Sequence, residues 1–431
     1  MDVIKSVYDF ITGLGPSVMM PIIITLLALV LGAKFGRALR AGITVGIGFI
    51  GINLIIGLLF QYLGPAAEGM VKNWGVTLNA IDVGWPVAAA IAFGTQIGSI
   101  IFVVGLLVNI IMLVLRLTKT VDVDLWNYWH WAYTGSLIFV ATGIFWLGIL
   151  GSVLHAAFTL VVADRTAPVI QKYFNWPDLS IAHGWATASM LIVWPMMKFF
   201  DLIGLEKSAE AAQKSDLERL RERIGVFGEP VLIGLILGLI VGLLAYVPAG
   251  LAFGDLLSKL LQLAMGMAAV MLLMPRVVAI LMEGLVPLSE QAREFLQKRF
   301  AGREFYIGMD SALMIGEPLT LTVAFLLVPI TLLLAVILPG NRMLPFGDLA
   351  ATPFFVVMAT PFMRGRFWRT LITGIVIMIV IMYMGSIWTP LITATAQSIG
   401  YAFPEGATQI SGFGNPFGWV LVMLSQLFFG K

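Results

Sequence analysis

Long runs of apolar residues recur along the chain, and short breaks with charged residues, glycine or proline separate them. An apolar run of about 18 residues or more is long enough to cross the roughly 30 Å hydrocarbon core of a bilayer as a helix. The pattern therefore predicts an all-α polytopic membrane protein with about eleven spans. The predicted spans are 17–33, 41–63, 85–115, 133–162, 186–203, 228–247, 255–283, 312–338, 346–363, 367–386 and 416–430.

The composition agrees with this pattern. Of the 431 residues, 59% are hydrophobic and only 12% are charged, whereas a soluble globular protein has about 25% charged residues. A net charge of +2 without a basic tract argues against a nucleic-acid partner. The chain has no cysteine, which excludes disulfides and a cysteine-based phosphoryl carrier within it, and its three histidines are scattered. We expect no metal site, no catalytic residue and no cofactor.

A strongly polar stretch at 204–227 mixes acids and bases in helix-forming sequence and predicts a charged cytoplasmic linker helix. It divides the chain into two transmembrane halves, 1–203 and 228–431. Similar segments recur in both halves at offsets of about 225 residues. The matching pairs are 81–86 with 309–318, and 166–178 with 389–405. If each half has an odd number of spans, the halves form two inverted repeats, as in many transporters.

The distribution of Lys and Arg gives a conflicting view of sidedness. If the first loop with Lys34 is cytoplasmic, the positive-inside rule places the linker, Arg364 and Lys431 inside. This topology leaves both 165–185 and 389–414 outside, whereas inversion requires opposite faces. A re-entrant segment at 346–363 restores the inversion but moves Arg364 and Lys431 outside. The sequence leaves both topologies open.

Two carboxylates, Asp310 and Glu317, lie seven residues apart in apolar sequence, close to Gly316 and Pro318. Seven residues are about two helical turns, so both side chains can face one side. Ionisable groups at membrane depth are costly and mark candidate sites, and helix breakers there expose backbone carbonyls. Paired carboxylates are suitable acceptors for the hydroxyls of a polyol. The alternative is that Asp310 caps a helix and Glu317 pairs with a basic residue.

The segment 175–185 is too polar and too rich in helix breakers to be a span. It predicts a re-entrant hairpin with His183 at its tip, beside Gly184. A neutral imidazole there can donate one hydrogen bond and accept another. The alternative is a surface loop whose Trp176 and Trp185 belong to an interfacial belt.

Further polar residues are lower-ranked candidates for substrate contacts. The amide- and hydroxyl-rich stretch 409–416 predicts a second hairpin tip, with Gln409 and Asn415 as candidates. Asp82 is the first-half counterpart of Asp310. Gln96 lies between glycines in a polar patch inside a predicted span.

Other polar, aromatic and small residues are interpreted as structural. Single polar residues within spans indicate hydrogen bonds between helices, namely Asn53 and His155. An aromatic cluster predicts an interfacial belt, formed by Trp126, Trp129, His130 and Trp131. Small residues at every fourth position indicate close helix packing or a dimer seam, namely Gly234, Gly238 and Gly242.

Three features together resemble one known family: the 310–319 motif, the hairpin with His183-Gly184-Trp185, and the charged midpoint linker. The chain resembles, over essentially its full length, the membrane component (enzyme IIC) of galactitol-specific phosphoenolpyruvate-dependent phosphotransferase systems. That family is similar to the ascorbate permeases, with which it shares a superfamily.

The resemblance implies a multi-pass homodimer in a bacterial inner membrane, with a substrate-holding core and a V-shaped dimerising scaffold in each protomer. It implies elevator-type transport of galactitol or a related polyol. A separate enzyme IIB, in a relay with IIA, would phosphorylate the polyol from its own cysteine. The residues leave one alternative open, an ion-coupled polyol or sugar symporter in which Asp310 and Glu317 are the titrating pair.

Overall fold

The apolar runs fold into helices, and short extended segments connect several of them. The computed structural model describes residues 16–73, 80–205, 229–299, 303–345, 348, 351–401, 409–412 and 414–430. The predicted linker helix at 204–227 lies outside the described residues, except for Gly204 and Leu205 at its start.

The first half begins with a pair of helices. Three short strands follow, and each strand leads into one or two further helices. Its elements are α1 (Pro16–Val30), α2 (Phe35–Asn73), β1 (Ala80–Asp82), α3 (Gly84–Gly94), α4 (Ile101–Val114), β2 (Thr120–Asp122), α5 (Trp129–Thr142), α6 (Phe145–Phe174), β3 (Leu179–Ile181) and α7 (Gly184–Ile203). Short 3-10 turns at Gly98–Ile100 and Leu125–Tyr128 lead into α4 and α5.

The second half has a similar order of elements. Its elements are α8 (Pro230–Tyr246), α9 (Phe253–Arg299), β4 (Tyr306–Met309), α10 (Ala312–Ile315), α11 (Pro318–Ile337), β5 (Met343–Leu344), α12 (Thr352–Val356), α13 (Ala359–Phe362), α14 (Phe367–Ser398), β6 (Gln409–Ser411) and α15 (Pro416–Phe429). It has two short helices, α12 and α13, where the first half has the single helix α5.

The helices confirm a polytopic helical membrane protein. Seven described helices are long and apolar enough to cross a membrane, and a bent pair, Val87–Gly94 with Gly98–Val114, adds an eighth. Three shorter apolar helices are Pro21–Val30, Thr352–Phe362 and Pro416–Phe429. The number of eleven spans stays a prediction.

The single span predicted at 133–162 is wrong, because the chain turns back within it. Gly143 ends α5 in the left-handed conformation (φ +73°), and α6 then runs back along α5. Close packing needs glycine here, since a Cβ on Gly135 would lie 2.5 Å from the carbonyl oxygen of Gly148. The turn escaped the sequence analysis because apolar residues continue through it.

Six short strands, which the sequence analysis did not predict, form two three-stranded parallel sheets in the described part of the chain. The strand orders are β5-β1-β6 and β2-β4-β3. Each central strand is the first strand of one half, and its neighbours are the second and third strands of the other half. The register pairs Asp82 with Ser411, and Gly308 with both Asp122 and Ser180. The two halves are therefore intertwined.

The segment from α6 to α7 folds back as a hairpin, at the place that its polarity predicts. A re-entrant position of this hairpin in the membrane stays a prediction. The Gln171 side chain donates to the Leu179 carbonyl at 2.9 Å, near the end of α6. Five residues later, the carbonyl oxygen of Gly184 lies 3.5 Å from Nε2 of His155, in the middle of α6. α7 then runs parallel to α6. Gly184 contacts His155, and Thr187, three residues further along α7, lies 3.4 Å from Thr159, four residues further along α6.

α14 begins at the end of the molecule where α6 and α7 both end. Asp201 accepts a hydrogen bond from Nη1 of Arg369, in the first turn of α14, at 2.8 Å. The backbone N–H of Lys119 donates to Asp164 of α6 at 2.8 Å, which places this loop toward the same end. We call the end with Lys119, Asp164 and Asp201 the linker end, because residues 206–228 follow from it.

The β5-β1-β6 sheet lies toward the opposite end. Thr393, near the end of α14, donates to the carbonyl of Ile410 at 3.2 Å. The topology that placed 165–185 and 389–414 on one face is therefore wrong, since 165–181 packs at the linker end and 409–411 does not. The physical reason is that 133–162 folds as two helices of opposite direction, α5 and α6, instead of one span, so the inferred direction of the chain is reversed after it.

The interpretation of the small-residue run as close helix packing is confirmed within the chain. A Cβ on Gly238 of α8 would lie 2.6 Å from Cα of Ala264 in α9, and one on Gly234 would lie 2.8 Å from the carbonyl oxygen of Met267. The predicted dimer seam is not needed to explain these glycines.

Candidate functional site

His183 stands at the N-terminus of α7, where the chain turns from β3 into the helix. Its Nδ1 accepts the backbone N–H of Ala186 at 3.2 Å, so the imidazole caps the helix. Accepting at Nδ1 places the proton of the neutral ring on Nε2. The side chain is 7% exposed. His183 therefore presents one N–H donor in a largely buried position.

Asp310 follows β4 and faces this donor. Its Oδ1 accepts the backbone N–H of Ala312 at 2.9 Å, and its side chain is 13% exposed. Nε2 of His183 lies 3.8 Å from Oδ1 of Asp310, which is longer than a hydrogen bond. A hydroxyl against both groups can accept from Nε2 and donate to the carboxylate. The Asp310 carboxylate can therefore accept the backbone N–H of Ala312 and a ligand hydroxyl at the same time.

Aromatic side chains of α5 form one wall of this site. The ring of His130 lies 4.4 Å from that of His183 in an edge-to-face arrangement, and it stacks on Trp129 at 3.8 Å. Trp129, His130 and Trp131 are all 1–2% exposed. The prediction that they form an interfacial belt is wrong for these three residues. These aromatic side chains are clustered because they pack around His183 at the tip of the hairpin.

The two predicted hairpin tips meet in the described structure. Asn415 caps α15, because its Oδ1 accepts the N–H of Gly418 at 3.0 Å. Its Nδ2 donates to the carbonyl oxygen of Gly184 at 3.1 Å. Asn415 therefore lies beside the His183 site, with its oxygen and one of its two N–H groups bonded to the protein, and its role as a substrate contact stays a prediction. His155 contacts the same carbonyl and Thr134, which confirms its interpretation as a group that links helices.

Glu317 caps the neighbouring helix α11. Its Oε2 accepts the backbone N–H of Thr320 at 2.5 Å, and its Oε1 accepts from the Tyr173 hydroxyl at 3.3 Å. Pro318 at the first position of α11 breaks the helix from α10, as the sequence predicted.

Asp82 occupies a site of the same construction in the other sheet. Its Oδ1 accepts the N–H of Gly84 at 3.0 Å, as Asp310 accepts that of Ala312. Its Oδ2 accepts the N–H of Asp348 at 2.6 Å. Asp82 is 1% exposed, and a Cβ on Gly412 would lie 3.1 Å from its Oδ1. The structure therefore places Asp82 in a second buried acidic cluster, separate from the His183–Asp310 contact.

Two lower-ranked candidates, Gln96 and Gln409, lie outside the helix starts described above. Gln96 is exposed at the break between α3 and α4, where the two segments meet at 79°. Gln409 accepts a hydrogen bond from Nη2 of Arg342 at 3.0 Å, an exposed contact at the end opposite the linker. Gln96 thus lies at a helix break and Gln409 at a sheet edge, and their roles as substrate contacts stay predictions.

An acidic pair that the sequence analysis missed, Asp122 and Asp124, borders the Asp310 carboxylate. Oδ1 of Asp122 accepts the N–H of Asp124 at 3.0 Å, and Asp124 interacts electrostatically with Asp310. Both residues are at most 4% exposed. The available signal was the Asp122-Val123-Asp124 motif after an apolar run. It was overlooked because it falls in what the pattern predicts to be a loop.

The described residues contain no group of three or more His, Asp or Glu side chains arranged to hold a metal ion. The arrangement instead offers hydrogen-bond donors and acceptors at the starts of several helices. Helices that begin inside a multi-span protein and present such groups are typical of transporters. The fold and the site thus define a membrane protein with the construction of a transporter.

Comparison with known proteins gives the family. The family model of the PTS system sugar-specific permease component (EIIC-GAT) matches residues 9–406. A "Putative permease IIC component" of Escherichia coli K12 is 40% identical over 97% of this chain and 94% of its own length. The "PTS system galactitol-specific EIIC component" of the same strain is 39% identical over 97% of this chain and 91% of its own length. The chain belongs to the family of sugar-specific permease components of the phosphotransferase system, which confirms the resemblance.

Proposed function

We propose that this protein is a galactitol-type polyol permease that presents its substrate for phosphorylation by a separate enzyme IIB. The family membership and the 39% identity to a galactitol-specific component support this assignment. The absence of cysteine from the chain agrees with a phosphoryl-carrying cysteine on another protein. The apolar helices and the relatives support a multi-pass location in a bacterial inner membrane.

One observation carries the substrate class. The Nε2 donor of His183 and the Oδ1 acceptor of Asp310 lie 3.8 Å apart in a largely buried position. A polyol hydroxyl satisfies both at once, since it accepts from the imidazole and donates to the carboxylate. Glu317 is proposed as a further acceptor at the start of α11. A hydrogen bond to such buried groups contributes about 1–3 kcal/mol.

We further propose that the two halves are inverted repeats and that the hairpin tips move together in an elevator-type step. The similar order of elements, the exchange of strands between the sheets and the opposite directions of α6 and α14 support inversion. The contact between Asn415 and Gly184 supports joint movement of the tips. A homodimer is proposed from the resemblance.

The fate of the substrate tests the function. Cells that express this chain with its IIA and IIB partners are given labelled galactitol, and the intracellular label is separated into phosphate ester and free polyol. We expect the ester, with uptake that depends on phosphoenolpyruvate and persists when ion gradients are collapsed. The control lacks only IIB. Free galactitol concentrated inside those control cells, and lost on adding an ionophore, would establish the symporter instead.

A further inference from the structure

Tyr133 presents a buried hydroxyl on the same helix as the aromatic wall of the site. It is 2% exposed, and its Oη has no hydrogen-bond partner within the described structure. A buried hydroxyl without a partner is unfavourable, because it has lost its hydrogen bonds to water and gained none in the protein. Buried polar groups in proteins almost always have a partner. The position of this hydroxyl therefore indicates a ligand contact.

The surroundings of Tyr133 supply acceptors for such a ligand. Its hydroxyl interacts electrostatically with the carboxylates of Asp348 and Asp82. Oδ2 of Asp82 holds the backbone N–H of Asp348 at 2.6 Å, so the two acids are fixed relative to each other across the two halves. A Cβ on Gly412 would lie 3.1 Å from Oδ1 of Asp82, so the glycine backbone packs closely against this pair of acids.

Tyr133 and the His183 site lie on one face of α5. His130 and Tyr133 are three residues apart in the helix, so their Cβ atoms are about 5–6 Å apart. The His130 ring is 4.4 Å from the His183 ring. Trp129 links the two, because it stacks on His130 and packs edge-on to Tyr133 with ring centroids 6.3 Å apart. The Tyr133 hydroxyl group is thus separated from the His183–Asp310 pair by one turn of α5 and one ring contact.

We propose that Tyr133, Asp82 and Asp348 form a second subsite that binds the terminal hydroxyl of a linear polyol at the end remote from His183 and Asp310. The inference rests on the proposed function and deepens it. The carboxylates beside each sheet would hold one end of the polyol. The Trp129–Tyr133 face of α5 would lie along the carbon backbone of the polyol. The Tyr133 hydroxyl makes this subsite specific for a polyol long enough to reach it.

A chemical double-mutant cycle tests this subsite. Equilibrium binding of galactitol and of 6-deoxygalactitol, which lacks one terminal hydroxyl, is measured with the purified full-length chain and with Tyr133→Phe. We expect each single change to weaken binding about tenfold, because each removes the same hydrogen bond. Together they should weaken binding little further, since the contact is already lost. Asp82→Asn should give the same non-additive pattern.

The control is Tyr62→Phe, which removes a tyrosine hydroxyl from α2, where the ring packs against Gly266 of α9. It should bind both polyols as the wild type does. Additive losses, or a Tyr133→Phe protein with unchanged galactitol affinity, would overturn the subsite and leave the proposed function intact. A folded wild-type chain that binds no galactitol would overturn the proposed substrate itself. Thermal unfolding of each variant confirms that the comparison is between folded proteins.

Discussion

Nδ2 of Asn415 donates a hydrogen bond to the carbonyl oxygen of Gly184 at 3.1 Å, across 231 positions in the sequence. The same amide caps α15 through its Oδ1, and Gly184 is the first residue of α7 after the His183 cap. One side chain therefore fixes the start of one helix relative to the start of another. The position of the His183 imidazole depends on a residue from the opposite half of the chain.

Replacing Asn415 separates capping from this contact. In Asn415→Asp, a side-chain oxygen still accepts the N–H of Gly418, but the donor to Gly184 is lost and a second oxygen faces that carbonyl. We expect a loss of about 1–3 kcal/mol in stability and weaker galactitol binding, because the start of α7 with His183 is no longer held in place. Thermal unfolding and equilibrium binding measure the two effects. Unchanged binding by a destabilised Asn415→Asp protein would show that the tips are positioned independently.

Replacing His183 separates its cap from its donor in the same way. In His183→Asn, the shorter amide can still cap α7 through its oxygen, but it does not extend to Asp310 as the imidazole does. We expect near wild-type stability and galactitol affinity at least about tenfold lower. His183→Ala should lose the affinity and, in addition, about 1 kcal/mol of stability from the missing cap. Binding by His183→Asn at wild-type affinity would remove the Nε2 donor from the site.

Arg369 fixes the end of the His183 hairpin at the start of α14. Its guanidinium is buried and donates through Nε and Nη2 to the carbonyl of Leu205, and through Nη1 to Asp201. Arg369→Lys keeps the charge but cannot make all three contacts. We expect a loss of about 2 kcal/mol in the free energy of unfolding.

Arg364 provides the matched control for Arg369. Its contact with Asp201 is longer, at 3.4 Å, and its side chain is 45% exposed. Arg364→Lys should change stability by less than about 0.5 kcal/mol, as is usual for an exposed ion pair. Equal losses in the two variants, measured by denaturant unfolding in detergent, would contradict the assignment of Arg369 as the anchor.

Single cysteines test the sidedness, since the chain has none of its own. Lys119→Cys and Lys172→Cys lie toward the linker end, while Arg342→Cys lies toward the other. All three side chains are exposed. A membrane-impermeant thiol reagent should label the first two alike and Arg342→Cys from the opposite side. Lys172→Cys that reacts from the same side as Arg342→Cys would restore the topology inferred from charge alone.

The local chemistry of several site residues was accessible from the sequence. His183, Asp310 and Glu317 were identified because a polar group beside a helix breaker in apolar sequence is costly unless it has a structural or binding role. All three prove to be tied to helix starts by hydrogen bonds with nearby backbone N–H groups. Such contacts span two or three residues, so the sequence specifies them directly.

The sequence did not specify which of these helix starts meet. Tyr133, Asp124 and Asp348 sit near the candidate acids only because strands from one half flank the first strand of the other. Those strands are two to four residues long, too short for an alternating pattern to stand out from an apolar background. The turn at Gly143 was hidden for a related reason, since the residues on both sides of it are apolar.

The sequence by itself determined that the chain enters a membrane as many helices, because the burial of apolar residues and the cost of exposed backbone in hydrocarbon act segment by segment. It also determined which polar residues break those helices. Only the tertiary structure decided that His183 faces Asp310, that Asn415 holds Gly184, and that Asp82 belongs to a separate cluster. These contacts join residues more than 120 positions apart, and their geometry depends on the packing of both halves together.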